Sequence, residues 1–245
     1  MKLQQVVALI LGFIFMVFAI YVRAEVPEPP AGELVDQARL AAGNDRHRQS
    51  IDLYSQAIAE DSRRAPIVAY ELARQYTWAE KTDSALYWFD VFLDAHPDNL
   101  DARIGRALAL NWGGRHAEAD TAYTDMLEDA GDRRNEVLLG LAKVKLWQGD
   151  YSSAEKHYIE VLETEPENVE AQIGLAETTN WAGKNHSATA MFDTIRSGDR
   201  TNLDATVGLA WALHWTGETG EAIRLLDQNP DNSDVALART AIESD

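Results

Sequence analysis

Tryptophan recurs along this chain at an almost constant interval. It lies at positions 78, 112, 147, 181 and 215, so the successive spacings are 34, 35, 34 and 34 residues. A period near 34 residues is typical of a solenoid of helical hairpins, in which each repeat contacts mainly its neighbours. The tryptophan spacing therefore predicts an all-α fold built from one repeated unit.

Other residues keep the same period and define six copies, which start near residues 31, 66, 100, 135, 169 and 203. One small residue per copy lies at Ala38, Ala73, Ala107, Ala142, Ala176 and Ala210. A second lies at Ser50, Ala85, Ala119, Ala154, Ala188 and Ala222. A bulky residue follows four positions later, at Tyr54, Phe89, Tyr123, Tyr158, Phe192 and Leu226. Small residues facing a bulky one predict two helices that pack closely in each copy.

The sequence also predicts where these helices begin and end. A glycine two residues after each of the last four tryptophans (Gly114, Gly149, Gly183 and Gly217) suits the left-handed position that ends a helix. Asn99, Asn168 and Asn202 precede first helices as N-caps. Four more glycines lie inside the first helices, at Gly105, Gly140, Gly174 and Gly208. They indicate either close helix approach or a backbone surface open to a ligand.

The pattern resembles the tetratricopeptide repeat (TPR) family. The residues that carry the resemblance include Leu141, Ala142, Gly149, Tyr151, Ala154, Tyr158 and Pro166. The family implies a right-handed superhelical solenoid of about six hairpins over residues 31–236. A C-terminal capping helix over residues 232–245 overlaps the last repeat, with Val235, Leu237, Ala238 and Ile242 as its apolar face. Tryptophan departs from the usual family position, since it ends the first helix instead of lying near its start.

The N-terminus is of a different kind. Lys2 precedes an apolar run from Val6 to Val22, and Val22 and Ala24 suit a cleavage site before Glu25. Residues 1–24 are thus predicted to be a signal peptide, with an uncleaved membrane anchor as the alternative, and residues 25–30 a Pro-rich linker. Either outcome places the repeats outside the cytoplasm, in the periplasm, with membrane contact only through this segment.

The charge excludes one class of partner. The chain carries 22 basic and 40 acidic residues, a net charge of −18. Nucleic acid binding requires clustered Lys and Arg, so a nucleic acid partner is not expected. The acidic surface favours solubility or, alternatively, the steering of a basic partner.

No motif for catalysis is present. The chain contains no cysteine, no HExxH and no glycine-rich phosphate loop. Most of its six histidines fall in turns or second helices at differing repeat positions, so they are not expected to converge. We therefore predict a protein that is not an enzyme, with no catalytic residues, no cofactor and no metal site.

The resemblance implies a ligand groove lined by positions 2, 5, 9, 12 and 13 of each repeat. Position 13 is the tryptophan, position 12 includes Asn111, Asn180 and His214, and position 5 includes Tyr70. The candidate groove residues are Trp78, Trp112, Trp147, Trp181, Trp215, Asn111, Asn180, His214 and Tyr70. Three roles stay open for the tryptophans: a packing seal between repeats, a stacking surface for sugars, and a peptide groove.

The segment Ala-Leu-Asn-Trp-Gly-Gly-Arg-His-Ala-Glu-Ala at 109–119 is similar to periplasmic TPR repeats of exopolysaccharide export proteins. The first hypothesis is therefore a periplasmic scaffold that binds partner proteins of a cell-envelope assembly. An assembly for exopolysaccharide biosynthesis or export is one example. The alternatives are direct glycan binding through the tryptophans and a peptide-binding envelope adaptor.

Overall fold

A computed structural model describes residues 31–245, and within that range the chain forms thirteen α-helices. The first helices of the six hairpins are α1 (Ala31–Ala42), α3 (Ala65–Trp78), α5 (Leu100–Trp112), α7 (Arg134–Trp147), α9 (Val169–Trp181) and α11 (Leu203–Trp215). The second helices are α2 (His47–Glu60), α4 (Thr82–Leu93), α6 (His116–Met126), α8 (Tyr151–Thr164), α10 (Asn185–Gly198) and α12 (Thr219–Leu226). The last helix is α13 (Ser233–Ser244). The predicted all-α hairpin solenoid is confirmed. The predicted signal peptide or anchor (1–24) and linker (25–30) lie outside the described residues.

The helix ends follow the local signals. Asn99, Asn168 and Asn202 accept hydrogen bonds from the backbone N–H three residues later and so cap α5, α9 and α11. The four turn glycines have φ between 75° and 93°. Asp45 and Glu80 occupy the same turn position in the first two hairpins, with φ of 55° and 57°. The turn geometry is therefore kept where glycine is missing.

The hairpins pack through their small residues. Every alanine of the first-helix set is fully buried, as are the second-helix residue and the bulky side chain that follows it. In the first hairpin the small residue is Ser50, whose hydroxyl donates to the Ala38 carbonyl oxygen at 2.9 Å. That bond removes the cost of burying an unpaired hydroxyl.

The mid-helix glycines provide close approach between neighbouring hairpins. A Cβ placed on Gly105 would lie 2.7 Å from Phe89, and Cβ atoms on Gly140, Gly174 and Gly208 would clash with Tyr123, Tyr158 and Phe192. Each aromatic ring thus lies directly against the backbone of the next first helix. Close helix approach is therefore the role of these glycines.

Helix α13 covers the end of the last hairpin. It contacts α11 and α12, and its Val235, Ala238 and Ile242 are buried. Leu237 was expected on the same face, but it is 69% exposed. Position 237 lies only two residues after Val235, so it projects away from the stripe formed by residues three and four apart. Within residues 31–245 no helix combines the length and hydropathy needed to cross a bilayer.

Candidate ligand groove and aromatic edge

The first helices share one open surface, which we call the groove. Successive first helices contact one another from α3 to α11. Their position-5 side chains are half-buried or buried and give an apolar floor: Tyr70, Ile104, Leu139, Ile173 and Val207. Four of these five side chains are half-buried and Leu139 is buried, so the floor presents partly exposed apolar area.

A cavity of about 380 Å³ opens into the groove between α3, α5 and α7. Its lining is Tyr70, Arg74, Thr77, Trp78, Phe89, Asp101, Ile104, Gly105, Leu108 and Glu136. It therefore combines aromatic and aliphatic walls with both signs of charge. Of the residues predicted from sequence, Tyr70 and Trp78 lie in this cavity.

Ion pairs neutralise much of the groove charge. Arg133 bridges Asp101 at 2.7 Å and Glu136 at 2.6 Å, and Lys143 pairs with Glu170. The pairs Arg133–Asp101 and Lys143–Glu170 link neighbouring repeats, whereas Arg133–Glu136 is local. Because these pairs are exposed, each contributes little to the stability of the fold, on the order of 0–1 kcal/mol. Their main effect is to neutralise charge.

Tyr70 lies at the centre of an aromatic cluster. Its ring centroid is 6.2 Å from that of Phe89 and 5.4 Å from that of Phe92, and the Arg74 guanidinium carbon lies 5.9 Å from the Tyr70 centroid. Burial raises the pKa of the Tyr70 hydroxyl, and the Arg74 charge opposes that shift. Tyr70 therefore stays neutral at physiological pH, and its ring forms part of the cavity wall.

Glu177 is a carboxyl group of the groove with a raised pKa. Burial raises its pKa, Lys143 lowers it, and the charge of Asp204 raises it further. It lies at position 9 of the fifth repeat, one helix away from Asp204 on α11. Desolvation and the like charge of Asp204 both favour the protonated, neutral form of this carboxyl group.

The tryptophans lie beside the turns that join first and second helices. Trp78 is 52% exposed and Trp147 69%, Trp112 and Trp181 are also exposed, and Trp215 is half-buried. Trp78 lines both the groove cavity and a second cavity at the first turns, lined also by Asp45, His47 and Glu80. We call this row, together with His47 and His116, the aromatic edge; it borders the groove.

The aromatic edge is not a uniform ladder. Trp78 and Trp112 meet edge to face with centroids 5.0 Å apart, and Trp181 and Trp215 do so at 5.2 Å. Trp147 instead lies parallel to His116 at 6.4 Å. The indoles thus contact neighbouring repeats and still expose much of their surface, so packing and ligand binding are both physically available to them.

Two histidines belong to the aromatic edge, against expectation. His47 and His116 are each the first residue of a second helix, two repeats apart, and each stacks on the tryptophan of the following repeat. The two share one repeat position, but they lie two repeats apart and stack on different tryptophans, so they do not converge. Counting from each repeat start would have revealed the shared position.

The position-12 side chains point inward. Asn111 is only 5% exposed, and its Oδ1 lies 2.8 Å from Nδ1 of His116, while Asn180 is equally buried. Asn111 and Asn180 were candidates for the groove, but both amides are buried in the hairpin interior and neither is exposed to a ligand. His214 lies half-buried, with Nδ1 3.0 Å from the Thr219 hydroxyl and Nε2 3.1 Å from Asp245.

Position 9 was expected to line the groove, but none of its residues was among the candidates. It supplies Arg74, Leu108, Lys143, Glu177 and Trp211, all on the groove side of the first helices. The residue type changes from copy to copy, so the periodic pattern that reveals core positions gives no signal there. Within residues 31–245 no three acidic or histidine side chains converge as a metal site.

Comparison with known families agrees with this architecture. The family described as Protein kinase G tetratricopeptide repeat matches residues 97–242, and a further tetratricopeptide repeat family matches residues 35–99. The chain belongs to the tetratricopeptide repeat family, whose members are built as scaffolds for protein–protein interaction.

Individual relatives are distant. The chain is 32% identical over 91 residues to a protein named CTR9 homolog from Arabidopsis thaliana, a match that spans 37% of this chain and 8% of that protein. A solved tetratricopeptide repeat protein from Parabacteroides merdae is similar with a TM-score of 0.75 at 17% identity, covering 90% of this chain and 88% of that one. PilW, described as a type IV pilus biogenesis factor, is similar with a TM-score of 0.67 at 18% identity, covering 86% and 97%. At such identities the likeness concerns the fold alone.

Proposed function

We propose that this protein is a non-enzymatic scaffold that binds partner proteins of a cell-envelope assembly through the groove. The observation that carries the proposal is the open apolar floor along the first helices, broken by a cavity and bordered by exposed tryptophans. Exposed apolar and aromatic area of this kind is typical of protein interaction surfaces.

The setting is the periplasm, with exopolysaccharide biosynthesis or export as the specific assembly. The apolar run from Val6 to Val22 supports export from the cytoplasm, and the similarity of residues 109–119 to repeats of exopolysaccharide export proteins supports the assembly. Cell fractionation tests the location: the protein should resist added protease until the outer membrane is opened. Recovery with cytoplasmic markers would contradict the periplasmic setting.

Site-specific photo-crosslinking tests the groove. A benzoylphenylalanine at Leu108, in the groove, should form adducts with partner proteins in cells. The same group at Lys156, exposed on the second helix α8, is the matched control and should form few. Equal adducts from both positions would show that partners do not select the groove.

Direct glycan binding is the second candidate, favoured by the exposure of Trp78, Trp112, Trp147 and Trp181. An exposed indole face can stack on the apolar face of a pyranose ring. Titration with soluble β-glucan or chitin oligomers should then shift or quench tryptophan fluorescence. The response should weaken in a Trp112→Ala, Trp147→Ala double variant, which leaves two exposed indoles, and persist in Trp88→Phe, whose ring packs against the core. An unresponsive wild-type protein would rule this candidate out.

A further inference from the structure

The turns of the first two hairpins differ from the other four at the left-handed position. The last four turns have glycine there, whereas the first two have Asp45 and Glu80, at a cost of roughly 1–2 kcal/mol each. Within residues 31–245 neither carboxylate forms a hydrogen bond or an ion pair that offsets this cost. Strained residues whose side chains make no internal contact are more typical of a binding site than of a structural turn.

Both carboxylates line the second cavity, of about 580 Å³, which we call the turn cavity. Its other exposed polar side chains are those of Arg46, Arg48 and Gln49. Among residues 31–245, none of these five side chains takes part in a hydrogen bond or an ion pair. The volume falls within the range of ~300–1,000 Å³ typical of small-molecule sites. The turn cavity therefore offers free donors and free acceptors in a space large enough for a ligand.

An aromatic wall forms another side of the turn cavity. The His47 ring lies nearly parallel to the Trp78 indole, with centroids 5.8 Å apart and 14° between the planes. Nδ1 of His47 lies 2.9 Å from Oε1 of Gln75, which is only 7% exposed. The buried amide holds the imidazole, and the imidazole supports the indole. The wall is thus in place before any ligand arrives, while much of the Trp78 surface remains exposed.

The His116–Trp147 pair provides an internal comparison. Its rings are also parallel, with centroids 6.4 Å apart. Both adjoining left-handed turn residues are glycines, and the nearby Arg115 is already held by Glu118. Within residues 31–245 the stacked pair therefore occurs twice, but carboxylates at the turn position accompany it only in the turn cavity.

The free groups of the turn cavity suit a neutral ligand rich in hydroxyl groups. Two carboxylates and two guanidiniums leave no net charge, so neither an anion nor a cation is favoured. A sugar hydroxyl both donates and accepts, so it can bind a carboxylate, a guanidinium or an amide. The apolar face of a pyranose ring can lie against an exposed indole.

We propose that the turn cavity binds a sugar unit of a neutral glycan. The pyranose ring packs against Trp78, Asp45 and Glu80 accept hydrogen bonds from its hydroxyls, and Arg46 and Arg48 donate to its oxygens. This inference rests on glycan binding as the second candidate function and gives it a defined site. That site lies at the turns, outside the cavity between α3, α5 and α7.

An Asp45→Gly, Glu80→Gly double variant tests the turn cavity. It gives the first two turns the residue of the other four, so urea unfolding should show a protein at least as stable as wild type. Calorimetric titration of the full-length protein with cello- and chito-oligosaccharides should show a Kd raised about tenfold for each carboxylate removed. The control, Asp98→Gly with Glu167→Gly, makes the same charge change in exposed turns between hairpins and should bind as wild type does.

The other outcomes separate the site from the function. Equal affinity of the double variant and wild type overturns the turn cavity but leaves glycan binding by the other tryptophans standing. Tighter binding of a charged oligosaccharide, from polygalacturonate or chitosan, overturns the neutral ligand. A wild-type protein that binds no oligosaccharide overturns both the site and the glycan candidate, even if a mixed-charge peptide binds there instead. Crosslinking from Leu108 reports on the protein scaffold independently of all these results.

Discussion

At the scale of single residues, the close contacts between hairpins depend on glycines, which have no Cβ atom. Gly105, Gly140, Gly174 and Gly208 leave room for an aromatic ring of the preceding hairpin. Mid-helix glycine costs about 1 kcal/mol relative to alanine, so these positions lose helix propensity and gain close packing. The balance can be measured one residue at a time.

Gly174→Ala should lower the free energy of unfolding by at least about 1 kcal/mol, because overpacking against the buried Tyr158 ring costs ~1–3 kcal/mol. Urea unfolding followed by circular dichroism measures it. Gly198→Ala is the control, since a Cβ there meets no atom within 4 Å, and it should be neutral or stabilising. Equal effects at the two positions would refute the packing role.

Glu177 should make stability depend on pH. Burial raises its pKa above 4.5, so the folded state binds a proton more tightly than the unfolded state. Stability is then lost as pH rises from the unfolded pKa through the folded pKa. Glu177→Gln should therefore be more stable than wild type at pH 7, with the difference vanishing near pH 4.

Glu165 provides a comparison of opposite sign. Hydrogen bonds from Asn168 and Asn135 lower its pKa, so it stabilises the fold above its unfolded pKa and loses that effect as pH falls. Glu165→Gln should lower the free energy of unfolding at pH 7. Urea midpoints of both variants at pH 7 and pH 4 check the pair, and variants that shift in the same direction would contradict it.

At the scale of elements, the hairpins begin and end by local chemistry. Asparagine oxygens satisfy orphan N–H groups at three first helices, and left-handed residues end all six. Asp45 and Glu80 take that conformation without glycine, at a cost of roughly 1–2 kcal/mol each. Contacts within the hairpin therefore hold the turn even where the residue is unfavourable.

The cap of α11 can be tested alone. Asn202→Ala should cost about 1 kcal/mol, because the Ala205 N–H loses its acceptor. Asn202→Asp keeps an acceptor oxygen and should retain most of the stability. Thermal unfolding of both variants decides it, and an alanine variant as stable as wild type would show that the cap contributes nothing.

At the scale of the whole molecule, a net charge of −18 acts on an elongated array of repeats. The ion pair Arg106–Asp90 joins successive hairpins, and Arg103–Asp129 lies within the third repeat, but exposed pairs contribute little. The remaining acids repel one another along the chain. Self-repulsion of this kind weakens a compact state and is screened by salt.

Raising the ionic strength from about 10 mM to about 150 mM should increase the urea midpoint, because the screening length falls from roughly 30 Å to roughly 8 Å. A triple variant, Asp98→Asn, Glu163→Gln and Glu167→Gln, removes three exposed acids and should respond less to salt. If the wild-type midpoint falls with salt, the ion pairs outweigh the repulsion.

Much of the fold is predictable because its signals are local and repeated. Ala142, Ala154 and Tyr158 identify a packed hairpin from a stretch of fewer than twenty residues, and the same pattern recurs. The groove was predictable only in part. Tyr70 occupies position 5, which is apolar in the repeats and could be recognised from that pattern. Arg74 occupies position 9, whose variable residues carry no periodic signal.

The sequence by itself determined the number of hairpins, the turns, the caps and the placement of tryptophan at the end of five of the six first helices, because each depends on residues close in the chain. Only the tertiary structure decided that Asn111 is buried, that Trp147 stacks on His116, and that Arg74 lies in a cavity without a carboxylate partner. These features depend on the angle at which one hairpin packs on the next. That angle results from many contacts between distant residues, and no single repeat contains it.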